Sequence, residues 1–458
     1  MSRFLQLVVM AAFAVAILAF PLAASAGHSD DPRTANIHPL GHIVEPASLF
    51  TANPDIHTDI AFWGKRAFQG NWDGFNIRDI SAPGNPRQVS RTFCEGNQGD
   101  LIVWENILVR SWNTPAGTPG PFGAGLTCDG VAVPAGWEGV HVFDISNEQN
   151  PQVVASVQLA CGSHTASAVP DPANGRLLVY SSPSSGACPG FDIIQVPLAN
   201  PAAASYVRFV NADHTCHDVG VIMGSAMKAA CAGGPGFRVF SIGGPSGGSL
   251  DNPMMRYHVV EPGVTIGHSA AWSWDGNVII FGREAGGGVG AECEATDDEV
   301  KKSIFFYRDD GSSATKLGKW TLPRSQSAIE NCTLHNYNAV PLRSGRDVLV
   351  MGNYQAGTWV VDFTNVAAGD GTVLREAQTV AWSDPPPAAV PPGAFFCSPA
   401  TGNACDVTGA WSTYWYDGFL YETHIGEGLN VFNLSDRAVA GAMKLGHLNP
   451  QTQEFTIG

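Results

Sequence analysis

Charge is scarce in this sequence. Only 14% of its 458 residues are Asp, Glu, Lys or Arg, and 41 acidic residues outnumber 25 basic ones. The resulting net charge of −16 repels phosphate backbones, so nucleic acid is not expected as a partner. None of the ten cysteines belongs to a C-x-x-C pair, which leaves thiolate zinc and dithiol redox chemistry without support. After the N-terminal region no apolar run is long enough to cross a bilayer. Helix signals are also missing around Gly244-Pro-Ser-Gly-Gly248 and Ser225-Ala-Met-Lys228. Their matches to nucleophile motifs therefore lack the strand–turn–helix setting such motifs need.

Glycine (52) and proline (31) are abundant, a composition that favours many short strands joined by turns. Arg3, the apolar stretch from Leu5 to Leu22 and the small-residue exit Ala24-Ser25-Ala26 read as a secretory signal over residues 1–26, placing the mature chain in the periplasm or outside the cell. An even number of cysteines suits that oxidising setting and predicts disulfides. Pairing of sequence neighbours (94–128, 161–188, 216–231, 293–332, 397–405) is one connectivity among many.

A segment recurs along the chain: a glycine, alternating apolar residues, then Asp-Ile-Ser or a relative. It stands at Gly74–Ser81, Gly139–Ser146, Gly190–Pro197 and Gly236–Gly243, and in looser form at Lys302–Asp309, Gly357–Thr364 and Gly428–Ser435. The mean spacing is about 59 residues, within the range of propeller blades carrying loop insertions. Period-two alternation places each copy on a strand. Strand-like runs on both sides make each unit a four-stranded antiparallel sheet that buries its faces only by stacking on its neighbours. The expected fold is therefore all-β, a seven-bladed β-propeller of four-stranded antiparallel blades over residues 57–458. Residues 27–56 form an N-terminal segment, and the last outer strand comes from Asn36–Ile43 or Ala438–Leu445. Residues 74–86 and 139–151 resemble the LVIVD-repeat family of secreted or surface β-propellers. That resemblance implies fold more firmly than activity.

In such blades the starts of the innermost strands and the loops after the second strands share one face around the axis. At those starts stand His57, His164, His217, His268 and His335, five of the 13 histidines. Neutral imidazole is the commonest protein ligand for Cu, Fe and Zn, and rotational symmetry would bring equivalent residues near one ion. Glu284 and Glu422, expected in loops on the same face, are candidate general bases beside a metal. The expectation is thus an exported propeller with a histidine-lined axial pocket binding a transition metal, serving as a metal-dependent oxidoreductase. Three other readings remain open. The histidines can cap backbone groups or bond to the next blade; the molecule can be a non-catalytic extracellular scaffold; or it can be a hydrolase using an unligated histidine with Asp218. The expected partner is a small molecule or an extracellular protein, and the chain is expected to be a monomer.

Overall fold

The computed structural model describes residues 30–45, 55–120, 122–284, 288, 292–386 and 409–458. The expected signal peptide, Cys397 and Cys405 lie outside the described residues. Every repeat copy is a strand: Gly74–Asp79, Gly139–Asp144, Gly190–Pro197, Gly236–Ser241, Ser303–Asp309, Thr358–Asp362 and Gly428–Leu434. Each is the third strand of an antiparallel meander, as where His57–Trp63, Arg66–Asn71, Gly74–Asp79 and Arg87–Phe93 pair in order. The leading glycine has a steric cause. A Cβ on Gly74 would lie 1.8 Å from the Thr92 carbonyl oxygen of the outer strand, and one on Gly139 2.1 Å from that of Val157. Three residues further on, the pairing with the outer strand shifts register at Ile77/Arg78, Val142/Phe143, Ile193/Ile194 and Val239/Phe240, so the copies also share a bulge.

The sheets do not all have four strands. Among the described residues they hold two, four, five or eight. The eight-stranded sheet consists of two four-stranded meanders joined by a single parallel bridge, Asn336 to Ser412. Five-stranded sheets arise where the short strands His447–Leu448, Thr452–Gln453 and Arg375–Glu376 are added, and a two-stranded ribbon joins Thr127–Cys128 to Val131–Ala132. Of the two candidate closing segments, the N-terminal one takes the outer place: Ile37–Val44 pairs antiparallel with Gly428–Leu434. Four disulfides join Cys94–Cys128, Cys161–Cys188, Cys216–Cys231 and Cys293–Cys332, as neighbour pairing predicts.

The innermost strands His57–Trp63, Leu101–Trp104, Thr165–Asp171, Asp218–Ile222, Gly267–Trp272, Asn336–Ala339 and Ala410–Tyr416 contact one another in that order, and the last contacts the first. Apolar side chains fill the seams between successive sheets: Phe75 meets Phe143 at 5.0 Å, Phe191 meets Phe240 at 5.5 Å, Phe306 meets Phe363 at 4.7 Å and Phe62 meets Tyr416 at 4.5 Å between ring centroids. A closed circuit of this kind is a propeller-like arrangement, in which no inner edge is left open.

The C-terminal segment crosses the inner strands near the ends opposite their starts. Leu448 pairs with Phe62, the Asn449 side chain bonds both the N–H and C=O of Val103 at 2.8 and 2.9 Å, and Thr452 donates to Ala168 O. Val221 N donates to Gln451 O, and Ile457 N reaches Trp274 O. Asn449 is buried and serves as a one-residue strand for Val103. Asn449→Ala should therefore strand two buried backbone groups and lower the unfolding free energy by about 3 kcal/mol in urea titrations; a loss below about 1 kcal/mol would mean that water satisfies them.

Candidate metal centre

Inner-strand starts from four consecutive sheets converge. His164, His217 and His335 each directly precede their strand, and His268 is the second residue of its own. Their ring centroids follow one another at 4.4, 3.9 and 4.2 Å from His164 to His335, forming an arc. Thr58, Asp59, Gln98, Asp100 and Trp411, at or just before the starts of the other three inner strands, complete the wall of a cavity of about 110 Å³. Glu284, one residue past the strand Val278–Arg283, enters it with a carboxylate oxygen 3.6 Å from His217 Nε2.

Two residues expected here lie elsewhere. His57 stands one position upstream of Thr58, which holds the place equivalent to the four histidines. Period-two alternation turns His57 away from the axis. Its Nε2 bonds the Glu45 carbonyl oxygen at 2.7 Å, beside the ion pairs of Glu45 with Arg78 and Arg91. Glu422 is not in a loop, because its strand continues to His424. Its carboxylate accepts from Thr358 Oγ1 and from Asn430 Nδ2, the latter at 2.9 Å, inside the sheets.

Three of the four rings are anchored by their outer nitrogens, while His217 Nδ1 lies 3.8 Å from an Asp218 oxygen. His164 Nδ1 bonds Asn113 Oδ1 at 2.8 Å, His335 Nδ1 donates to Trp411 O at 2.5 Å, and His268 Nδ1 contacts Ser269 Oγ, which itself donates toward His335 O at 2.9 Å. The Nε2 atoms of His164 and His217 face each other at 3.0 Å. Two nitrogens bound to one ion at about 2.0–2.1 Å, at angles between square and tetrahedral, lie about 2.8–3.4 Å apart, so this spacing suits a shared ion. His268, Glu284 and His335 form one group with ligand atoms mutually within 4.8 Å, and His217, Asp218 and His268 form another. Asn113 escaped sequence reasoning although it follows the second strand Ile107–Trp112, the position rule that selected Glu284.

Burial, reinforced by His217, pushes His164 and His335 down to about 3 and holds His268 well below its usual value, so these rings are neutral, the ligating form. His217 moves the other way. Burial opposes its charge, but Asp218 at 3.8 Å and Glu284 outweigh burial and raise it. Burial also raises Glu284, and burial together with Asp59 and Asp218 raises Asp100 well above the carboxylate range. Asp59, Asp100, Asp218 and Glu284 line the cavity, and no Lys or Arg is among its described lining residues.

A further His/Cys group, Cys94, Cys128 and His141, is unsuited to metal because both sulfurs are in a disulfide. His141 is stacked on Trp137 at 4.5 Å, with Nδ1 on Ser156 Oγ. In the segment after Val278–Arg283, Glu292 pairs with Arg283 and Asp297 with Lys301. Among the described residues, no helix is long and apolar enough to cross a membrane.

No protein-family model matches the chain, and no curated protein matches it in sequence. Solved structures show a distant likeness. The WD40 β-propeller domain of Doa1 is 10% identical, with 88% of this chain and 98% of that chain covered and a TM-score of 0.46. A protein from Lactobacillus plantarum is 12% identical, with 88% and 97% covered and a TM-score of 0.46. The N-terminal domain of Nup159 is 9% identical, with 88% and 96% covered and a TM-score of 0.45. The propeller-like description rests on strand pairing and the closed circuit of inner strands.

The displaced His57 has a measurable consequence. Burial, opposed by Glu45, lowers its pKa to about 4. The unfolded chain takes up this proton near pH 6.5 and the fold only near 4, so stability is full above 6.5 and falls as pH drops through that window. Between pH 7 and 5 the His57 contribution should fall by about 2 kcal/mol. His57→Gln should show an acid loss in urea titrations smaller by that amount; equal losses in the two proteins would refute a buried neutral His57.

Proposed function

We propose that the chain is an exported, LVIVD-repeat-like, seven-bladed propeller whose imidazole arc binds one transition-metal ion. The eight-stranded sheet counts as two blades in this reading, and the tail strands as additions to others. His164, His217, His268 and His335 are the proposed ligands, with Glu284 as the neighbouring carboxylate. The observation that carries the proposal is the division of labour within the rings. In His164, His268 and His335 a bonded outer nitrogen leaves the inner one toward the cavity, as metal-binding histidines are oriented by their outer partners. Imidazole donors suit copper, iron and zinc alike. With copper or iron, the proposed activity is that of a metal-dependent oxidoreductase on a small molecule. Glu284, raised by burial, would then be the group that moves a proton at the cavity. The weaker hydrolase reading would use an unligated histidine with Asp218, an oxygen of which lies 3.8 Å from His217 Nδ1.

Purified protein should hold close to one equivalent of copper, iron or zinc by elemental analysis, or take it up when offered. His268→Ala should lower that stoichiometry to below half while leaving the thermal midpoint of metal-free protein within a few degrees. Folded protein that contains no metal and refuses all three would sink the proposal. A large fall in the midpoint without loss of metal would assign His268 to packing instead.

A further inference from the structure

Both ring nitrogens of His335 are engaged. Nδ1 lies 2.5 Å from Trp411 O, and a carbonyl only accepts, so Nδ1 carries the proton. Nε2 therefore presents a lone pair, and the Tyr354 hydroxyl at 3.2 Å donates to it. The two rings pack with centroids 4.5 Å apart. Several features hold the phenol there. Tyr354 is buried, its ring lies 5.7 Å from that of Trp411, and its N–H and C=O exchange hydrogen bonds with Ala410 at 2.8 and 2.9 Å. Its backbone is left-handed, with φ 43°, a costly conformation for a bulky residue. Gly409 makes that geometry accessible, since a Cβ there would lie 2.2 Å from Tyr354 O. Strained backbone is thus maintained where it delivers a hydroxyl to a ring nitrogen of the arc.

We propose that Tyr354 is a positioning residue that occupies the ligating lone pair of His335 in the metal-free protein and yields it when metal binds. This rests on the metal-centre reading above. One lone pair cannot serve a phenol proton and a cation at once, so loading must break the Tyr354–His335 bond. The phenol keeps His335 aimed at the cavity and competes with the ion for it.

Cobalt(II) added to metal-free protein, followed by its visible absorption, tests the proposal. Removing the competing hydrogen bond in Tyr354→Phe should tighten cobalt binding by about five-fold, the size of one ordinary hydrogen bond. In the unsubstituted protein, loading should also perturb a tyrosine band in the near ultraviolet, and Tyr354→Phe should abolish that change. A purely structural tyrosine would leave the affinity equal or weaken it. Unchanged or weaker binding by the folded variant overturns the proposal while leaving the metal centre standing. If the variant does not fold, absence of a tyrosine change on loading the unsubstituted protein overturns it. Failure of both proteins to bind cobalt removes the metal centre and this proposal together.

Discussion

Alternation of side chains along the innermost strands decides what meets at the axis. Thr58, His164, His217, His268, His335 and Trp411 stand in one register and line the cavity. Residues beside them reach sideways to the adjoining inner strand, several lining the cavity as well: Asp100 accepts from Ala166 N, Thr165 donates to His217 O, Ser269 to His335 O and Ser412 to Asp59. These lateral bonds tie each strand start to its neighbour, and the tied starts hold the imidazoles at distances fixed by the backbone. A slip of one residue in an inner strand that carries a histidine would turn that ring out of the arc. The lateral belt is therefore what gives the arc its geometry.

The structural and chemical readings of the histidines describe different atoms of the same ring. At His335 the outer nitrogen bonds the next strand's carbonyl, a packing role, while the inner nitrogen points to the cavity. His164 divides its nitrogens similarly between Asn113 and His217. An imidazole is suited to this because one nitrogen can donate while the other accepts. Replacement by Asn would preserve much of the lateral bonding and lose the second nitrogen, so capping alone does not account for four rings facing one another.

Much of this was legible in the sequence because repetition is a sequence property. The Gly-led copies marked third strands, and counting back from them located the inner strand starts at His164, His217, His268 and His335. His57 was misjudged because residue type was matched without register: His57-Thr58-Asp59 resembles His217-Asp218 by its histidine but aligns by its aspartate. Glu422 was misjudged because the end of a second strand cannot be read to within two residues from Tyr-Glu-Thr-His. Sheet sizes were also hidden, since the added strands are two residues long and form only where the tail, or the segment at Arg375–Glu376, meets a sheet distant in sequence. The Tyr354–His335 contact depends on a left-handed backbone that no local motif announced.

Charge links the cavity to the rest of the fold. Four carboxylates line it without a lysine or arginine among its described residues, and burial makes their negative charge costly. Protons relieve that cost: Asp218 and Glu284 raise the affinity of His217 for one against its burial, and burial with Asp59 and Asp218 raises that of Asp100. A divalent cation at the arc would substitute for such protons, and the three imidazoles already held neutral would need no deprotonation to receive it. The C-terminal segment spans several inner strands away from their starts, and Gln451 reaches from it to Asp59. The tail thereby braces the acidic side of the cavity that faces the imidazoles, so the arrangement that concentrates negative charge is supported by the same strands that supply the ligands.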